Sequence, residues 1–115
     1  MPSDPTSRAL RDILHHIDLA ESFVEGLDRE TFKADLRAFY AVTRCLEIIS
    51  EASRRLPNEL KARHSAISWK QMADAVNVYR HDYEDVAAQL VWETVQQSLP
   101  PLKVVVETEI RRLGA

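Results

Sequence analysis

The chain has 115 residues, of which 45% are hydrophobic, so residues 1–115 are expected to form one domain with a modest core. Two glycines, with no Asn-Gly or Asp-Gly pair, argue against an all-β fold. A net charge of −3 argues against a protein that binds duplex DNA through a broad basic surface. The single cysteine, Cys45, excludes a disulfide framework or a cysteine-based zinc site, and we expect it to be a buried thiol.

The N-terminus and the apolar runs of the sequence give an expectation for the cellular location of the protein. No apolar run reaches the ~18 residues of a membrane span, and the N-terminus lacks the apolar segment of a signal peptide. We therefore expect a cytoplasmic protein with no membrane contact.

The first half of the chain has two helical regions. Apolar residues recur at intervals of three and four from Leu10 to Val24, with Asp4 as the expected start and Gly26 as the expected stop. After a turn around Asp28, a second apolar seam runs from Leu36 to Leu56. Asp35 is expected to cap its long part, and Pro57 and Asn58 to end it.

The second half is expected to supply the remaining helices. Residues 58–67 are predicted to form a short helical turn or loop, and Ser68 with Gln71 matches a capping box that starts a helix near Trp69. A further helix begins near Asp85 with an apolar face of Val86, Leu90, Val91 and Val95. The Ser98-Leu99-Pro100-Pro101 run is predicted to break it before a last helix with Leu102, Val105, Val106, Ile110 and Leu113. The pattern predicts an all-α, antiparallel, up-and-down bundle of four to five helices.

Two groups of polar residues have competing interpretations. The second helix carries a polar stripe at helical spacing, made of Arg44, Glu47, Glu51, Arg54 and Arg55. It could hold a metal or support a site, but a solvated face with weak ion pairs is favoured. His15 and His16 are adjacent, so they point about 100° apart on a helix and cannot chelate one metal together.

Arg80, His81, Asp82 and Tyr83 are the strongest candidates for chemistry. Histidine is the usual general acid or base near neutral pH, and arginine holds phosphate oxygens through paired hydrogen bonds. Such a pair could cleave a phosphodiester without a metal. The alternative is a helix end at which basic residues interact favourably with the helix dipole.

The sequence resembles the HepT-like toxins of the HEPN (higher eukaryotes and prokaryotes nucleotide-binding) superfamily. The similarity rests on four segments in order, "TRCLEIISEASRRLP" (43–57), "ISWKQMA" (67–73), "NVYRHDY" (77–83) and "VWETVQQSLPPL" (91–102). The resemblance implies a symmetric homodimer that cleaves RNA without a metal or other cofactor. It also implies a partner, an MntA-like minimal nucleotidyltransferase antitoxin that can silence the toxin by adenylylating a tyrosine.

The family motif, R-x4-H-x-Y with Asn often after the Arg, is only partly present. Asn77, His81 and Tyr83 match it, whereas the arginine position holds Val76. In one interpretation Arg80 replaces that arginine, because on a helix it would lie on nearly the same face, ~6 Å further along the axis. In the other, catalysis is lost and the chain is an interaction module that binds its partner, nucleotides or RNA. Asp82, Arg44, Glu47 and Glu51 are expected to support the site.

Overall fold

The structure is a computed structural model that describes residues 4–74 and 84–114, with only the main chain of residues 84 and 85. Its described residues form helices and connecting turns, in agreement with the predicted all-α fold. The helices are α1 (Pro5–Val24), α2 (Arg29–Ala34), α3 (Leu36–Arg54), α4 (Asn58–Arg63), α5 (residues 69–74), α6 (Glu84–Glu93) and α7 (Leu99–Gly114). A π-helical turn, Thr94–Ser98, joins α6 to α7.

Aspartates begin the first three helices, as the sequence predicts. The Asp4 carboxylate accepts a hydrogen bond from the Thr6 N–H at 2.9 Å, and that of Asp35 accepts one from Ala38 at 3.0 Å. Asp28 and Thr31 cap α2 reciprocally, each side chain accepting from the other's main-chain N–H. These bonds satisfy donors that have no partner inside the helix. Gly26 allows the turn after α1 because it adopts a φ of +80°.

The core lies where α1 packs against α3 and α7, while α2 packs against α3 and α6. Its apolar side chains are almost fully removed from solvent, among them Leu10, Ile13, Ile17, Val42, Leu46, Ile49, Leu99, Leu102 and Val106. Cys45 is buried as expected, and burial raises the pKa of its thiol. The amphipathic spacing of α1 and α3 therefore determines the main interface of the fold.

The predicted break at Ser98-Leu99-Pro100-Pro101 is wrong, since helical structure continues from Glu84 to Gly114. Pro100 and Pro101 fall in the first turn of α7, directly after the π turn, where the Leu99 N–H donates to the Thr94 carbonyl. Prolines crowd the carbonyls four residues before them, and the wider π turn relieves that crowding. Four positions of the predicted apolar faces are also wrong, because their side chains are 40–51% exposed: Phe23, Leu36, Val86 and Leu113.

Candidate functional site

Most of the predicted motif lies outside the described residues. This applies to Val76, Asn77, Arg80, His81, Asp82 and Tyr83. The described site residues are Arg44, Glu47 and Glu51 on α3, and the described part of α5 precedes the motif in the chain.

The C-terminal half of α3 holds the last described turn of α5 through a main-chain carbonyl. The Ser50 hydroxyl donates to the Ala73 carbonyl oxygen at 2.7 Å, and the Arg54 guanidinium donates to the same oxygen. Ser50 is itself buried, so its hydroxyl needs a partner of this kind. The last described turn of α5 is therefore fixed against α3.

The polar stripe on α3 does not act as one unit. Arg44 forms a 3.5 Å ion pair with Glu47, and Glu51 is exposed. Arg55 instead faces α1, where it donates to the Asp12 carboxylate at 3.1 Å. The stripe is divided between a solvated pair, the Ala73 contact of Arg54, and a bridge between helices.

Thr43 lies one turn before Glu47 on α3. Its hydroxyl oxygen is buried and finds no hydrogen-bond partner within residues 4–74 and 84–114. A buried hydroxyl without a partner is costly, and the described residues leave this one polar atom of α3 unsatisfied.

A buried charged cluster, which the sequence interpretation missed, lies between α4 and α7. Glu109 is 1% exposed and accepts hydrogen bonds from Arg63 at 2.8 Å and from His64 at 2.6 Å. The Arg63 hydrogen bond lowers the pKa of the Glu109 carboxyl, burial opposes this, and His64 lowers it further. The sequence did contain a signal for the burial of Glu109, because this residue follows Val106 at the spacing of the apolar face.

The histidines of α1 have local roles. The His16 Nδ1 is 2.7 Å from the Asp12 carbonyl oxygen, and its ring meets the His15 ring edge to face. Within the part of the chain that the structure describes, no group of histidine, cysteine, aspartate or glutamate side chains is arranged to hold a metal ion.

Among the helices that the structure describes, none combines the length and apolar character needed to cross a membrane.

The fold and its sequence place this chain among the small, all-α HEPN-like domains. Residues 13–109 match the family described as HepT-like, Ribonuclease HepT-like. The chain belongs to that family, and the resemblance predicted from its sequence is confirmed.

Relatives from three organisms support the assignment. The chain is 39% identical to "Probable ribonuclease HepT" of Thermococcus cleftensis over 82% of its own length and 86% of that protein. It is 33% identical to a "Putative RNase" of Methanocaldococcus jannaschii, covering 98% and 97% of the two chains. It is 32% identical to a "Putative RNase" of Caldanaerobacter subterraneus, covering 90% and 92%. No solved structure matches the chain significantly.

Proposed function

We propose that the chain is a metal-independent RNA endonuclease and the toxin of a toxin–antitoxin pair. The observation that carries this proposal is the family match over residues 13–109, which spans Arg80, His81 and Tyr83. The relatives named as ribonucleases align over most of their own length, so the similarity extends over the domain as a whole.

The proposed reaction is an acid–base transesterification. A base removes the proton of the ribose 2′-hydroxyl, whose oxygen forms a bond to phosphorus as the bond to the 5′-oxygen breaks. The departing 5′-oxygen takes up a proton, and a 2′,3′-cyclic phosphate remains. His81 moves these protons, and Arg80 stabilises the charge that grows on the phosphate oxygens.

Two copies of the chain would place their 80–83 segments in one cleft, in a homodimer that binds RNA. An MntA-like nucleotidyltransferase is the proposed antitoxin, with the Tyr83 hydroxyl as the site of modification. We propose a cytoplasmic location, where RNA and such a partner are both present.

A second function is favoured by one observation, the valine at position 76. A valine cannot donate a hydrogen bond to phosphate. Without Arg80 as a replacement, the chain would be a non-catalytic module that binds the nucleotidyltransferase, nucleotides or RNA.

The test compares purified wild-type protein with His81→Ala and Arg80→Ala on single-stranded RNA in the presence of a chelator. Cleavage by the wild type should fall at least 100-fold in His81→Ala, the scale of a lost general acid or base. His15→Ala and Arg111→Ala, which replace exposed residues elsewhere, are the matched controls and should cleave like the wild type. Equal cleavage by all five proteins would exclude the proposed site. An inactive wild type that still binds the nucleotidyltransferase would establish the second function.

A further inference from the structure

A groove of about 320 Å³ lies between α5, the loop before it and the π turn. The described side chains that line it are all uncharged. Ser68 and Gln71 lie on one side, Gln97 and Ser98 on the other, and the buried Met72 and half-buried Ile67 offer apolar surface. The described part of the groove therefore offers hydroxyl and amide groups beside apolar surface, and no described charged side chain lines it.

The side formed by the loop before α5 is held in place by contacts made outside the groove. The Trp69 indole N–H donates to the carbonyls of Lys61 and His64, at 3.1 Å each. The His64 ring is fixed in turn by Glu109 of α7 at 2.6 Å. The buried carboxylate thus anchors the loop from which Ile67 and Ser68 line the groove, and a ligand would meet a preformed surface.

The opposite side is formed by the π turn, which is an unusual local structure. Single π turns within α-helices are rare and occur frequently at functional sites. Pro100 and Pro101 have no N–H, so the carbonyls of Gln96 and Gln97 cannot receive the usual α-helical hydrogen bond from them. The turn that supplies Gln97 and Ser98 therefore departs from an ordinary helix in bonding as well as in width.

We propose that this groove binds a nucleobase of single-stranded RNA, an inference that rests on the proposed ribonuclease function. A base is planar and uncharged, with donors and acceptors along its edge, and glutamine amides pair with such edges through two hydrogen bonds. Its apolar faces suit Met72 and Ile67, and single-stranded RNA exposes its bases for recognition of this kind. Among the described residues the lining holds no cation, and this favours the uncharged base over the phosphate. Gln71 and Met72 lie a few positions before the 77–83 segment in the chain.

The first experiment titrates the four ribonucleosides, and then their 5′-monophosphates, into ¹⁵N-labelled full-length protein. Nucleosides should shift the main-chain amide signals of Ser68, Gln71 and Gln97 in the NMR spectrum. Gln71→Ala combined with Gln97→Ala should weaken this binding at least ten-fold. Gln96→Ala is the matched control, because Gln96 is exposed on the same turn but does not line the groove.

Three results would overturn the groove as a base site. One is the absence of nucleoside-dependent shifts in these residues, and another is equal binding by the double variant and Gln96→Ala. The third is a monophosphate that binds ten-fold or more tightly than its nucleoside at these residues, which would make the groove a phosphate site.

A parallel cleavage assay separates this inference from the proposed function. His81→Ala should lose cleavage while it keeps nucleoside binding, and the glutamine double variant should raise KM or change the base preference. Nucleoside binding at the groove of a wild type that cuts no RNA would uphold the base site and refute the ribonuclease. RNA cleavage by a wild type whose groove binds no nucleoside would uphold the ribonuclease and refute the base site.

Discussion

The α1–α3 interface buries apolar side chains, whereas the α4–α7 junction buries a charged one. Between α1 and α3, apolar side chains such as Ile13 and Ile49 are fully removed from water. Between α4 and α7, a fully buried carboxylate, Glu109, is compensated by Arg63 and His64. The first interface depends on area and shape, whereas the second depends on specific partners. The two should therefore respond differently to truncation, to charge removal and to pH.

The largest effect is expected from a cavity in the apolar interface. Ile13→Ala should lower the free energy of unfolding by about 2–5 kcal/mol, because it removes buried methyl groups and leaves a void. Chemical denaturation monitored by circular dichroism measures the loss. Leu113→Ala, at a half-exposed position of α7, is the control and should change stability by no more than about 0.5 kcal/mol. Similar losses in the two variants would mean that Ile13 is not in a tightly packed core.

A smaller effect is expected at the charged junction. Glu109→Gln removes the charge that Arg63 and His64 bind, and it should cost roughly 1–3 kcal/mol of unfolding free energy. Glu107→Gln, two residues earlier on the same helix, serves as the matched control. If both variants kept wild-type stability, the buried carboxylate would not hold α4 against α7.

The pH dependence of that variant distinguishes charge from shape. The Arg63 hydrogen bond holds the pKa of Glu109 below the ordinary 4.5. A depressed carboxyl pKa stabilises the fold above the unfolded value and loses this effect as pH falls through the folded value. The stability difference between wild type and Glu109→Gln should therefore shrink as pH falls below the ordinary carboxyl value of 4.5 and through the lower folded value. A difference that stays constant across this range would point to packing.

The smallest effect is expected on the solvated stripe of α3. Arg44→Ala breaks a 3.5 Å ion pair in which the arginine side chain is 70% exposed. Solvent screening limits the expected loss to roughly 0.2–0.5 kcal/mol of unfolding free energy. Since the fold should hardly change, a drop in RNA cleavage by this variant would report direct support of the site. A stability loss above about 1 kcal/mol would instead make Arg44 a structural residue.

Local signals in the sequence predicted much of the fold. Asp4, Asp28 and Asp35 mark helix starts because a short carboxylate can accept from the first main-chain N–H groups. The start of α5 near Trp69 is also confirmed. The continuity of α6 and α7 was missed, because a π turn has no simple residue signature and two prolines usually indicate a break.

The site was less accessible to prediction from sequence. The family and the polar residues of α3 could be identified, but His81, Arg80 and Tyr83 lie outside the described residues and their roles stay predictions. Local spacing could have indicated the burial of Glu109, but its partners lie more than 40 positions away, so no local pattern identifies them. The contacts of Ser50 and Arg54 with Ala73 join residues 23 and 19 positions apart, so local spacing rules do not predict them either.

The contact at Ala73 also has a consequence for sequence variation. Since α3 binds the main-chain oxygen of residue 73, the contact is independent of that residue's side chain. Any residue that keeps the helix and fits the space could stand there, whereas Ser50 and Arg54 supply the donors and cannot be exchanged freely. In a library of variants, we expect the selective pressure for this junction to fall on α3 and to leave position 73 comparatively free to drift.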